Sequence, residues 1–285
     1  MDQAAALRSL AVPAPSHPRP GSPGAEVIVV GSGKGGVGKS VLSVLFAAAL
    51  VRNGRRVLLV DGSQNQGNLH ILLGVRPAGR LEDLLTGEAD LEQLPVAVSS
   101  GLWLLPADSG AESLYALSRV DQARLHHQLS SLYEDFEAVV VDGGPGIENV
   151  VRVASMSATR LVVVTVPEPT ALSDAYALIK IVSLQIPVLP VSVLVNRTLS
   201  GEEGLASFER LSLAASRFLG RELDYLGTLP EDDLLRADIR RPGALLAAAP
   251  SAVDEAIAHL IESKTSGAQG MCADPPRSRL AANAP

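Results

Sequence analysis

The chain has 285 residues, 47% of them hydrophobic but only 3% aromatic, enough for one large aliphatic-cored α/β domain plus tails. Its 24 basic and 31 acidic residues leave a net charge of −7, which argues against a predominantly basic nucleic-acid-binding surface, though not against a local patch. The only cysteine, Cys272, rules out a disulfide framework or a cysteine cluster, and no apolar run approaches a membrane span or a signal-peptide core, so a cytoplasmic location is expected.

Met1 to Leu10 sets Ala4, Leu7 and Leu10 on one helical face, with Asp2 near the start. Ten residues cannot hold a helix alone in water, so the piece is expected to fold on a partner or against the domain. The plainer reading is an alanine-rich disordered start. Residues 11–24 contain five prolines and two glycines, a semi-rigid linker. Extended at ~3.1 Å per residue it reaches roughly 40 Å.

Val27 to Val30 reads as a buried strand, Gly31 to Gly38 as a glycine-rich loop, and Val41 to Val51 as an apolar helix. Gly33, Lys34, Gly35, Gly36, Val37, Gly38, Lys39 and Ser40 satisfy the P-loop spacing within that strand–loop–helix context. Glycines are required because the loop must wrap a phosphate closely and take backbone angles that a Cβ forbids. Backbone N–H groups from Gly33 through Val41 then present positive partial charge to the anion. In this pattern Lys39 neutralises the β- and γ-phosphates of a nucleotide and the Ser40 hydroxyl ligates Mg²⁺.

Further strands are expected at Arg56 to Asp61, Leu102 to Leu105, Ala138 to Asp142, Leu161 to Val166, Val191 to Asn196 and Asp224 to Leu229. Helices are expected at Leu81 to Leu85 (stopping near Gly87), Glu112 to Ser118, Gln122 to Tyr133, from Ile147, Leu172 to Ser183, Gly204 to Leu219 and Ala252 to Ser263, with a short apolar turn at Leu69 to Leu73. Strands separated by helices of this length require crossovers, hence a doubly wound, mainly parallel sheet with helices on both faces. Ligands of such sheets sit beyond the carboxyl ends of the strands, where Gly31, Asp61, Asp142, Pro167 and Asn196 all fall. Asp142, after Ala-Val-Val-Val, fits an acid holding the Mg²⁺ hydration shell, the alternative being a cap on the next helix. Asp61 is a second magnesium-shell or water-network carboxylate. Leu172, Tyr176 and Ile179 recur at helical spacing, as in a helix covering the sheet.

The second lysine of the loop makes the pattern more specific. Lys34-Gly-Gly-Val-Gly-Lys39-Ser40 resembles the deviant Walker A motif of the MinD/ParA superfamily. With Asn68 to Gly74, Ser173 to Lys180 and Asn196-Arg197, the stretch from Glu26 to Lys264 is similar to the FlhG/FleN family, MinD-like regulators of bacterial flagellar number and placement. Asp2, Gln3, Leu7 and Arg8 resemble the activator motif with which that family stimulates the GTPase FlhF. The resemblance therefore divides the chain into an activator-like helix at 1–10, a linker at 11–24, an ATPase domain at 25–264 and a disordered tail at 265–285.

The resemblance implies ATP and Mg²⁺ as cofactors and an ATP-dependent homodimer in which Lys34 reaches the partner's nucleotide. It also implies adenine contacts from Asn196, Arg197, Pro230 and Asp232; the Asn196 amide both donates and accepts, which suits an adenine edge. Partners would be an FlhF-like GTPase, flagellar switch-complex proteins and a flagellar transcription regulator. Lys34, Lys39, Asp61 and Ser63 would carry the hydrolytic chemistry. Two departures stand out. Where the family has Asp-x-Asp after the second strand, this chain has Asp61-Gly62-Ser63. Losing the water-orienting carboxylate costs on the order of 10²–10⁴ in rate, so hydrolysis is expected to be slow unless Gln64 or Gln66 holds the water. At the other end, Ala252 to Lys264 carries Asp254, Glu255 and Glu262 against Lys264, a poor match to anionic lipid. Direct membrane binding is not expected; recruitment to a membrane or cell pole would run through a partner. A catalytically silent positioning scaffold and a ParA-like DNA partition ATPase are the competing readings.

Overall fold

The computed structural model describes residues 24–63, 67–80, 83, 90–106, 119–248 and 252–259. Residues 1–10, nearly all of the linker, the predicted helix at 112–118, most of that at 81–87, Gln64, Gln66 and the 265–285 tail lie outside the described residues.

Eight strands form one sheet: β1 (Glu26–Gly31), β2 (Val57–Asp61), β3 (Val96–Ser99), β4 (Leu102–Leu105), β5 (Ala138–Asp142), β6 (Arg160–Thr165), β7 (Val191–Thr198) and β8 (Asp224–Pro230). Their order across the sheet is β3-β4-β2-β5-β1-β6-β7-β8. Every pairing is parallel except β3 on β4. The central strands are runs of valine and leucine because both faces are covered. Alternate residues feed opposite layers. Val27, Val29, Leu58, Val139 and Val163 face a cluster with α3 (Arg119–Tyr133), α4 (Ile147–Ser157), α5 (Pro169–Gln185) and α6 (Gly201–Leu219). Ile28, Val30, Leu59, Val140 and Val162 face the other, with α1 (Lys39–Arg52), α2 (Leu69–Leu73) and a helix α8 over 252–259.

Helix α1 is wrapped almost entirely. Lys39 and Leu42 through Leu50 are buried, with Val253, Ala256 and Ile257 of α8 in the same cluster. It therefore shows almost no amphipathic contrast, as an interior helix should.

Four features differ from the sequence expectations. Strand β3 was not anticipated: its four residues are mostly half-exposed at a sheet edge and return through the tight turn at Gly101, whose φ is 86°. Helix α7 (Asp233–Ile239) buries none of its residues, so no apolar stripe announces it; Asp232 starts it by accepting the N–H groups of Leu234 and Leu235. Helix α5 begins three residues before the expected Leu172, with Pro169 in its first turn, where a missing N–H costs nothing. Its buried stripe is also shifted. Ala171, Ala175, Leu178, Ile179 and Val182 face the core, while Leu172 and Tyr176 are only half-buried. Alanines at these positions let the helix approach closely, a contact that a search for large apolar residues passes over.

Candidate nucleotide site

The topology brings four loops together at the carboxyl edge: β1–α1, β2–α2, β5–α4 and β6–α5. The first is the glycine-rich loop. Gly36 and Gly38 have φ of 77° and 100°, and a Cβ at Gly38 would lie 2.6 Å from the Asn196 amide nitrogen. A Cβ at Gly33 would collide with the α5 backbone, 2.0 Å from the Asp174 carbonyl oxygen. Only glycine fits either position.

The two lysines of the loop point to different tasks. The Lys39 side chain is buried, and its Nζ donates to Ser32 Oγ at 3.0 Å; that hydroxyl donates to the Lys34 carbonyl at 2.6 Å. Burial lowers the Lys39 pKa, partly opposed by the charge of Asp142. Lys34 instead reaches out of the loop to the start of α5, where its ammonium pairs with Glu168 and approaches Thr170 Oγ1 at 3.3 Å.

Asp61 and Asp142 sit side by side, paired in register on β2 and β5, and each is 1% exposed. Burial first, and the neighbouring Asp142 second, raise the Asp61 pKa from 3.8 to about 7. The Leu69 and Ser63 N–H groups, donating to its two oxygens at 3.2 and 3.1 Å, and the Ser63 hydroxyl hold it back from rising further. Burial likewise raises Asp142, against the lowering effects of Ser40, the Gly144 N–H and Lys39. Asp142 Oδ1 accepts the Gly144 N–H at 3.3 Å, but its Oδ2 is buried with no hydrogen-bond partner. An orphaned buried carboxylate oxygen beside a P-loop serine is what a hydrated Mg²⁺ would satisfy. Among the described residues no three His, Cys, Asp or Glu side chains converge as a metal cage. Mg²⁺ keeps several waters and takes much of its coordination from phosphate, so it needs few protein ligands. The donor set of Ser40, Asp142 and the adjacent Asp61 therefore fits a magnesium–nucleotide complex.

A cleft beside the P-loop is lined by Gly38, Val41, Asn196, Arg197, Pro230 and Asp232, together with side chains of α7. The structure thus gathers all four residues predicted for the adenine. Asn196 is engaged with the loop itself, donating to the Val37 carbonyl at 2.8 Å, and the Asp232 carboxylate caps α7. Arg197 has a φ of 56°, unusual for a residue with a side chain. A larger cavity of about 570 Å³ surrounds Arg221 at the amino ends of β7 and β8, away from these loops and outside the usual ligand edge of such sheets.

Sequence reasoning missed Ser32, Glu168, Thr170 and Asn149. Glu168 and Thr170 precede the helix expected from Leu172; their offset of two residues, one either side of a proline, carried no signal for pairing with Lys34, 134 positions from Glu168. Asn149, on α4, lies far in sequence from one of the two loops it contacts.

The family model for an AAA domain matches residues 25–187. The antiactivator FleN of Pseudomonas aeruginosa is 35% identical over 225 residues, covering 79% of this chain and 80% of that protein. The flagellum site-determining protein YlxH of Helicobacter pylori is 33% identical over 225 residues, covering 79% and 76%. Among solved structures, the cell division ATPase MinD of Pyrococcus furiosus superposes with a TM-score of 0.68 at 25% identity, covering 84% of this chain and 99% of that one. With strand order, loop geometry and relatives in agreement across most of its length, the chain belongs to the FlhG/FleN branch of the MinD/ParA P-loop ATPases.

Proposed function

We propose that this protein is an ATP-dependent dimerising switch that regulates flagellar number or assembly and acts on an FlhF-type GTPase through its N-terminal segment. The observation that carries the reading is the division of labour between two lysines in one loop. Lys39 stays inside the loop on Ser32, while Lys34 is held at the loop's rim by Glu168 and Thr170. On this reading the rim lysine leaves its own subunit and neutralises phosphate in a second one. ATP bound between subunits then supplies the differential affinity that drives association, and Ser40 and Asp142 would hold the Mg²⁺ that offsets the charge of its phosphates. The name of the flagellum site-determining protein YlxH supports the flagellar setting. Switch-complex proteins and a flagellar transcription regulator are further partners of this reading, and any membrane or polar recruitment runs through them. No helix among the described residues is long and apolar enough to cross a membrane.

Light scattering with Mg²⁺ and ATP tests the switch. The natural chain is expected to dimerise with ATP and not with ADP, and Lys34→Ala to remain monomeric while still binding ADP; dimers of Lys34→Ala would sink the reading. GTPase assays with and without residues 1–10 test the output: stimulation that survives the deletion removes the activator role.

A second reading, a scaffold that binds ATP without turnover, is favoured by Ser63. Its hydroxyl assists Asp61, and it packs against Gly144, whose added Cβ would lie 2.7 Å from Ser63 Cα. Slow turnover in the natural chain, raised about tenfold or more by Ser63→Asp, supports a slow ATPase. No turnover in either chain supports the scaffold.

A further inference from the structure

Asn149 lies in the first turn of α4 and is 9% exposed. Its Nδ2 donates to two carbonyls at once: Gly62 at 2.9 Å, in the loop after β2, and Gly143 at 2.7 Å, in the loop after β5. Its Oδ1 accepts from Arg152 Nη2 at 2.6 Å, one turn along α4. Two carbonyl partners fix which end of the amide is nitrogen, since only an NH₂ group can serve both. The loops also interlock directly. The Gly62 N–H donates to the Asp142 carbonyl at 2.9 Å, and a Cβ at Gly62 would lie 2.5 Å from that same oxygen.

We propose that Asn149 is a positioning residue that couples the two acid-bearing loops, so that Asp61, Ser63 and Asp142 move as one body when the terminal phosphate of a nucleotide arrives. This extends the switch proposed above and rests on it. Asn149 acts through Gly62 and Gly143. The physics is that of a doubly donating buried amide. No hydroxyl, carboxylate or aliphatic side chain can give two protons to two carbonyls from one atom. A carboxylate there would face two carbonyl oxygens with no proton to offer. With the tie cut, the loops keep the Gly62 N–H bond to the Asp142 carbonyl but their shared response to the γ-phosphate weakens, while the P-loop that grips the β-phosphate is untouched.

The experiment compares the full chain with Asn149→Asp, and with Asn149→Ser as a milder second variant should the first not fold. Amide hydrogen exchange without nucleotide reads the tie alone. Both loops, 62–63 and 143–144, are expected to lose protection together in the variant while β1 and α1 keep theirs. Unchanged exchange, or a change confined to one loop, overturns the proposal. Calorimetry with ADP and with a non-hydrolysable ATP analogue, followed by light scattering, reads the consequence. ADP affinity should stay within about threefold of the natural chain, and the analogue concentration at half-dimerisation should rise by about tenfold or more. Equal losses for both nucleotides would indicate general damage and overturn the coupling role. If the natural chain failed to dimerise with the analogue, the switch itself would fall, and the exchange result would still judge the tie.

Discussion

At the scale of single residues, the site is governed by what burial does to charge. Asp61 carries a folded-state pKa of about 7 against 3.8. Between those values the folded chain holds a proton that the unfolded chain has released. Stability therefore falls as pH rises through this window and levels off above about 7. In EDTA and without nucleotide, melting is expected roughly 5 °C higher at pH 5 than at pH 8 once Asp61→Asn is used as the baseline. A pH profile identical in the natural chain and Asp61→Asn would refute the shift. Each of these two carboxylates was legible from the sequence because each ends an apolar strand, but their pairing was not. Nor was the role of Asn149 as a bridge, because its bond to Gly62, 87 positions away, depends on loops brought together only by the sheet order.

At the scale of elements, α5 is where sequence and structure part most instructively. The notion of a covering helix was right, but its start and its buried face were misplaced, since Pro169 hides the first turn and alanines form much of the contact. Those shifts matter, because the first turn and the residue before it hold Thr170 and Glu168, the two groups that detain Lys34. Glu168 is largely exposed, its side chain 60% accessible, so the ion pair contributes little in water. Glu168→Ala is accordingly expected to lower the ATP concentration needed for half-dimerisation only about two- to fivefold. A titration by sedimentation in which the variant needed more ATP would show that Glu168 assists the dimer instead of restraining the monomer. Helix α7 and strand β3 illustrate the opposite lesson. Neither buries enough of one face to leave a periodic pattern, so local chemistry such as the Asp232 cap was their only trace.

At the scale of the whole molecule, the sheet order is what the sequence could not supply. Strand and helix positions followed from apolar runs and turn residues, and the doubly wound class followed from their alternation. That β5 lies between β2 and β1, setting Asp142 beside both Asp61 and the P-loop, comes from topology alone. The wrapping of α1 by the sheet on one side and α8 on the other has a mechanical result. The helix that begins at Lys39 and Ser40 is buried from Leu42 through Leu50, so rocking it on ligand entry would cost close-packed core contacts. It behaves as an anvil. On the switch proposed above, a difference between triphosphate and diphosphate forms is then expected in the neighbouring turns and in α5, with the seat of the nucleotide alike in both.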